Sequence, residues 1–231
     1  MKWRKYALLF LITICFGVGL WDAIAQAPTK PQIVFNMNDH IAVMGTDGTN
    51  IRYLTHHPAI RDGSPCWAPD GTQIAFGRDD DVRTINFEVY VMNSDGTNIR
   101  RLTYQPRDDV PSSWSPDGKQ IAFVSERDGN FEIYVMTPDG TDLQNLTRHP
   151  SSDGEPSWSP DGKQIAFTSN RSTSEEFGAH FDIYVMNADG SDVRRLTGRS
   201  GEPEWAQDVS PCWSPDGNQI VFTSDRDKRH R

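Results

Sequence analysis

Short apolar runs separated by turn-forming residues recur along this chain with a steady rhythm. The triplets Ile74–Phe76, Ile121–Phe123, Ile165–Phe167 and Ile220–Phe222 each follow a Trp-x-Pro-Asp-Gly segment, which begins at Trp67, Trp114, Trp158 and Trp213 with spacings of 47, 44 and 55 residues. Alternating runs come next, at Val89–Met92, Ile133–Met136 and Ile183–Met186, with a weaker copy at Ile41–Met44. Ten residues beyond each of those methionines stands a Leu-Thr pair, at Leu54, Leu102, Leu146 and Leu196. Runs this short, bounded by Pro, Asp and Gly, predict β-strands. Self-similarity at this period predicts a repeat architecture.

Each unit supplies four strands, here A to D. Pro-Asp-Gly between A and B places proline and a positive-φ glycine where a tight turn needs them. The Asp-Gly pairs between C and D, at Asp47, Asp95, Asp139 and Asp189, are hairpin chemistry as well. Four antiparallel strands per repeat around an axis make a β-propeller, so an all-β fold is expected, with helix almost absent beyond the leader and the A strands nearest the axis. A β-sandwich would not need a repeated sequence.

The segments WSPDGKQIAF, IYVMNADGSDVRRLT and IYVMTPDGTDLQNLT resemble the WD40-like repeats of TolB-type propellers, and the likeness runs from about Gln32 to Asp225. It implies a fold, with residues 26–231 as propeller repeats. The first repeat starts so near the leader that the α/β domain preceding the propeller in TolB has no room. The catalytic domain of the similar prolyl-oligopeptidase-like peptidases is missing too. Strand counting gives four A, five B, four C and four D strands, or about four to five repeats. A ring in which the last A strand completes the first blade would hold four blades and one surplus B strand. The sequence stops where another C strand is due, which favours an incomplete ring.

Two of the four connections are constant in length. From Trp to the B-strand Ile the step is always 7, and from the C-strand Met to Leu always 10. From the B-strand Phe to the C-strand Met the steps are 9, 16, 13 and 19, and from Leu to the next Trp 13, 12, 12 and 17. In an antiparallel blade the two constant turns share one face and the two variable loops the other. Individuality confined to one face marks that face as the place of function.

Met1–Ala25 reads as a secretory signal peptide: Lys2, Arg4 and Lys5, an apolar run from Tyr6 to Leu20, then Ala23-Ile24-Ala25 before the cut. Cleavage after Ala27 would put Pro28 beside the cut, and Ile14 before Cys15 does not suit lipidation. The apolar run falls short of the roughly 20 residues of a spanning helix. A periplasmic or secreted location follows, with the membrane met only through the leader or an envelope partner. Net charge is −9, and loss of the leader makes the chain more acidic, which argues against nucleic acid. Three cysteines are too few for a disulfide scaffold. Cys66 and Cys212 both precede an A-strand tryptophan; in a closed four-blade ring they would lie in neighbouring blades, too far apart to bridge, so two free, buried thiols are expected.

No G-x-S-x-G elbow, H-E-x-x-H helix or phosphate-cradling glycine loop occurs, so no catalytic residue and no cofactor is assigned. The repeated aspartates fit turns better than calcium, and no metal ligand is assigned. The tryptophans are expected to pack between blades. Arg127, Arg171 and Arg226 follow the B-strand Phe by four residues and Arg78 by two, places that suit bracing a loop as well as meeting a partner. His57 and His149 occupy matching loop positions, where the other repeats have Gln105 and Arg199. Trp205 lies in the longest D to A loop, and Glu175, Glu176 and His180 in the longest B to C loop. Partner-binding candidates are therefore His57, Arg127, His149, Arg171 and Trp205. The expectation is a non-enzymatic envelope scaffold binding a protein or peptide. The alternatives are a propeller piece of a larger peptidase or sensor, or a loop-built hydrolase or lyase.

Overall fold

A computed structural model describes residues 31–79, 86–172, 180–198 and 206–226. The leader expected over residues 1–25 lies outside them. Seventeen strands are formed, and no helix occurs among the described residues.

The strands fall into five antiparallel sheets, taken here as blades 1 to 5. Blade 1 holds β1 (Gln32–Met37), β2 (His40–Gly45) and β3 (Arg52–Tyr53). Blade 2 holds β4 (Arg61–Trp67), β5 (Gln73–Asp79), β6 (Phe87–Asn93) and β7 (Arg100–Arg101). Blade 3 runs through β8 (Asp109–Trp114), β9 (Ile121–Ser125), β10 (Glu132–Met136) and β11 (Gln144–Asn145). Blade 4 is β12 (Asp153–Trp158), β13 (Gln164–Ser169), β14 (Asp182–Asn187) and β15 (Arg194–Arg195), and blade 5 is β16 (Asp208–Trp213) with β17 (Ile220–Ser224). The expected strand order holds in every blade. The D strands are only two residues long, but each continues as one further bond, for example Leu102 N to Val89 O at 2.8 Å.

Among the described residues the ring is not closed. β16 pairs with β17 and not with β1, so the last A strand does not complete the first blade. Three full blades stand between partial ones of three and two strands, and Cys66 and Cys212 lie in blades 2 and 5, not in adjacent ones.

The triplet Ile-Ala-Phe explains how blades stack. In β5, β9 and β13 all three side chains have no accessible surface, because each middle blade is covered on both faces. Ala75, with Val89 and Val91, packs against Trp114, Ile121, Phe123, Tyr134 and Met136 of blade 3. Ala122, Ile133 and Val135 receive Trp158, Ile165, Phe167, Tyr184 and Met186 of blade 4 in the same way. Large side chains of one blade thus meet small ones of the blade before, and each buried Phe contributes about 2–3 kcal/mol. The A strands pack in succession, β4 on β8, β8 on β12 and β12 on β16, the arrangement expected of innermost strands. Each A strand carries one extra residue opposite its B partner, between Gly63 and Cys66, Pro111 and Ser113, Gly154 and Ser157, and Val209 and Cys212.

The constant turns interlock. Gly118, Gly162 and Gly217 rest against Pro69, Pro116 and Pro160 of the preceding A to B turn. Gly96, Gly140 and Gly190 of the C to D turns press on the backbone of Leu54, Leu102 and Leu146 in the preceding blade. Ser94 N donates to Thr72 O at 2.9 Å and Ala188 N to Lys163 O at 2.9 Å, so the two kinds of turn meet on one face.

Candidate functional site

The variable connections gather on the opposite face, which is built from a repeated ionic bracket. An aspartate stands first or second in each A strand, five residues before the tryptophan: Asp62, Asp109, Asp153 and Asp208. Each accepts from the arginine that follows its B-strand Phe. Arg171 Nη2 lies 2.8 and 2.7 Å from the two Asp153 oxygens. Arg127 Nη2 stands 2.9 Å from Asp109 and Arg226 Nη2 2.6 Å from Asp208. Arg78 reaches Asp62 through both Nε and Nη2, at 2.6 and 3.0 Å, although it follows its Phe by two residues instead of four. The guanidinium groups also stack on aromatic rings: Arg171 is 5.2 Å from both Phe167 and Tyr184, and Arg127 is 5.6 Å from Phe123 and 4.6 Å from Tyr134.

A second acid stands first or second in each C strand of blades 2 to 4. Glu88 accepts from Arg101 Nη2 at 2.6 Å, Thr103 Oγ1 at 2.5 Å and Gln105 N at 2.7 Å. Glu132 accepts from Thr147 Oγ1 and from His149 N at 2.9 Å, and Asp182 from Arg195 Nη2 at 2.6 Å. In blade 1 the same places hold His40 and Tyr53, whose rings meet edge to face at 5.9 Å, with His56 against Tyr53 at 5.5 Å. The face is tied across blades too: Asp62 N donates to Asp39 O, Asp153 N to Phe131 O and Asp208 N to Phe181 O, at 2.9, 2.8 and 2.8 Å. Desolvation raises the carboxyl groups of Asp109 and Asp182 above their ordinary range. Asp108 is raised first by desolvation, with the nearby charges of Glu126, Asp79 and Glu88 adding to it against the stabilising Phe87 amide.

The sequence candidates can now be placed. The Arg127 and Arg171 side chains are 12 % and 13 % exposed, so most of each is committed to its aspartate and rings. His149 is half-buried; its Nδ1 accepts from Ser151 N at 3.1 Å and its carbonyl from Asn130 Nδ2 at 2.9 Å. That asparagine bond joins the two variable loops of blade 3, bringing the segment that begins at Arg127 beside His149. His57 is half-buried at the start of the blade 1 to blade 2 connection. Trp205, Glu175 and Glu176 lie outside the described residues. His180 is buried, with Nε2 3.7 Å from Asp182 Oδ2. The repeated turn aspartates bond within their own turns, as Asp95 Oδ1 does to Thr97 N at 2.9 Å, and no cluster of three or more His, Cys, Asp or Glu fit for a metal occurs among the described residues. The bracket aspartates went unnoticed in the sequence reading, yet their constant distance from the tryptophan was a visible signal.

Fold and repeat together define a β-propeller built from WD40-like units. Residues 107–197 match the model of the TolB β-propeller domain, and residues 26–132 that of the tricorn protease N-terminal β-propeller domain. The chain carries TolB-like β-propeller repeats over those residues. Among solved structures it is similar to a TolB-type protein of Agrobacterium tumefaciens, with 24 % identity and a TM-score of 0.63, covering 83 % of this chain and 70 % of that one. The TolB of Acinetobacter baumannii gives 25 % and 0.66, covering 82 % of this chain, which spans only 45 % of that protein. A puromycin-hydrolysing peptidase of Mycobacterium tuberculosis gives 16 % and 0.62, covering 87 % and 34 %. No curated protein matches the sequence.

Proposed function

We propose that the protein is an exported, non-enzymatic scaffold that binds a protein or peptide in the cell envelope across its variable-loop face. The observation that carries this reading is the division of labour between faces. The constant turns interlock through Gly on Pro and Gly on Leu contacts, whereas the connections that differ in length gather on the other side. The likeness to TolB propellers supports the reading. The same architecture also serves a peptidase, so the argument rests on the loops and not on the fold. An excess of acidic over basic residues, 32 against 23, favours a partner with a basic contact patch and an interaction that weakens with salt.

The test is capture from an envelope extract with the mature chain and with a variant in which the segment between Arg171 and Phe181 is shortened. The partner is expected to be lost with the shortened loop. Retention by that variant, together with loss on a substitution in the Ser115–Gly118 turn that leaves the protein folded, would place binding on the wrong face and overturn the reading.

A further inference from the structure

Carboxylates crowd the junction of blades 2 and 3 on the variable-loop face: Asp79 ends β5, Glu88 lies in β6, Asp108 and Asp109 stand where β8 begins, and Glu126 follows β9. All but one have a guanidinium of their own. Arg61 Nη2 lies 2.6 Å from Asp79, Arg101 Nη2 2.6 Å from Glu88, Arg127 Nη2 2.9 Å from Asp109 and Arg107 Nη1 2.6 Å from Glu126. The half-buried Asp108 has no ion-pair partner among the described residues. Its Oδ1 accepts from Phe87 N at 2.8 Å, and its Oδ2 takes no bond and is not enclosed. Desolvation, then the charges of Glu126, Asp79 and Glu88, raise this carboxyl above its ordinary range.

The fold does not need that charge. The residue before the A-strand aspartate is Arg61, Asp108, Ser152 and Gln207 in blades 2 to 5. Gln207 fills the place with a neutral amide and makes the same bond, Phe181 N donating to its Oε1 at 3.1 Å. The main chain is held alike too, by Glu126 N on Asp108 O at 3.1 Å and Asp225 N on Gln207 O at 3.2 Å. At Asp108 a carboxylate therefore adds like-charge repulsion and no bond that an amide could not supply.

Four residues earlier in the same connection, Tyr104 is 70 % exposed. Arg101 stands 4.7 Å over its ring and is itself fixed, by Glu88 and by an Nε bond to Thr103 O at 2.7 Å. Gln105 between them is tied at both ends, its N to Glu88 Oε1 and its O to Asn86 Nδ2, each at 2.7 Å. The ring is thus held in place with one face open to water, a preorganised surface that buries little within the chain.

Resting on the reading of this face as the partner-binding surface, we propose that residues 104–108 receive an arginine of the partner, with Asp108 as its carboxylate and Tyr104 as its ring. The junction already shows the match, since each neighbouring acid holds an arginine and Arg101 stacks on this same tyrosine. Arginine fits better than lysine because its planar fork suits both a carboxylate and a ring face.

The probe is acetyl-Gly-Arg-Gly-amide, with its citrulline counterpart as the neutral isostere, titrated into the whole chain and followed through the backbone amide resonances. Saturable shifts centred on residues 104–108 and Phe87 are expected, with the citrulline peptide at least about tenfold weaker. Asp108→Asn keeps an oxygen for Phe87 N. It is expected to weaken the arginine peptide at least about tenfold while urea stability at neutral pH stays equal or rises. Tyr104→Ser should weaken binding several-fold, and Asp142→Asn, which removes an exposed charge from the constant-turn face, should change nothing. Equal binding of the two peptides, or full binding by Asp108→Asn, overturns the proposal. A loss of stability in Asp108→Asn overturns it as well, because the carboxylate would then be structural. Envelope capture separates this inference from the reading beneath it. A partner that needs the segment between Arg171 and Phe181 but is kept by Asp108→Asn sinks the inference alone; arginine binding at residues 104–108 with nothing captured by the parent sinks the envelope reading alone.

Discussion

Gly190 approaches the carbonyl of Leu146 so closely that a Cβ on it would stand 2.6 Å from that oxygen, and its φ is +86°. Two requirements therefore coincide at one residue, a left-handed backbone and room for the preceding blade. Gly140 has φ +87° but 3.2 Å to Leu102 O, and Gly48 has φ +78° with nothing within 4 Å. Alanine at Gly48 should cost only the backbone penalty, about 1 kcal/mol. At Gly190 the obstacle is main chain, which cannot swing aside, and ~3 kcal/mol is expected. Gly140→Ala should fall between. Urea unfolding of the three variants checks the order; equal losses would mean that the turns do not lock the blades.

Arg171 bonds both oxygens of Asp153 through its Nη2, and the aspartate side chain has no accessible surface. Arg171→Met leaves a buried carboxylate unpaired, at a cost of about 3–5 kcal/mol. Arg171→Lys restores charge without the Nε bond to Ser169 Oγ or the stack on Phe167 and Tyr184, so it should recover only part of the loss. Denaturant midpoints with unchanged slopes are the measurement. If Arg171→Met unfolds as the parent does, the bracket is not structural and the side chain is available for a partner.

How much of this was legible beforehand depended on whether a feature repeats. The strand order, the shared face of the constant turns and the packing of Trp114 and Trp158 between blades follow from landmarks at fixed spacing. The arginine brackets were only half legible: Arg78 stands two places from the position of its counterparts, and only geometry shows that all four reach an A-strand aspartate. The bulges were half legible: Ser64, Glu155 and Ser210 take φ of +50°, +51° and +56°, and a glycine stands beside the first two, Gly63 and Gly154, but not at the strained position itself. The open ring, by contrast, was legible in a strand count that leaves one B strand beyond four blades.

Cys66 and Cys212 form no disulfide with each other and are half-buried, less enclosed as residues than the sequence suggested. The Cys66 thiol is nevertheless surrounded on the blade 3 side, next to the Trp114 indole, and desolvation pushes it up to about 12. Since the thiolate is the nucleophile, Cys66 in the native protein should react far more slowly at pH 8 than an ordinary thiol near 8.5. In urea without reductant both cysteines should titrate at once. Rapid native labelling of Cys66 would contradict the enclosure, and the absence of any thiol in urea would mean that a bridge forms.

The acid limb of stability follows from two sets of carboxylates with opposite signs. Asp139 is lowered from 3.8 to about 2, first by the Thr137 hydroxyl and then by Thr141, and Asp216 is lowered to about 2, first by Ser214. A group lowered in the folded state contributes stability above its unfolded value, and the contribution is lost as pH falls from there through the folded value, here between about 4 and about 2. Asp47, Asp95, Asp117, Asp161 and Asp189 are lowered too and act in the same sense. The half-buried Asp108 and the buried Asp109 and Asp182 are raised, so the native chain takes up their protons before the unfolded chain does and gains stability as pH falls through those values. From neutrality down to about pH 4 the melting temperature should therefore hold or rise slightly, then fall steeply. Thr137→Val removes the largest cause at Asp139, so the variant should melt lower near neutrality, lose less between about pH 4 and about pH 2, and draw closer to the parent as the pH falls. Melting curves from pH 2 to 7 decide it; a decline that begins above about pH 5 would show that the buried carboxylates stabilise the blades in their charged form.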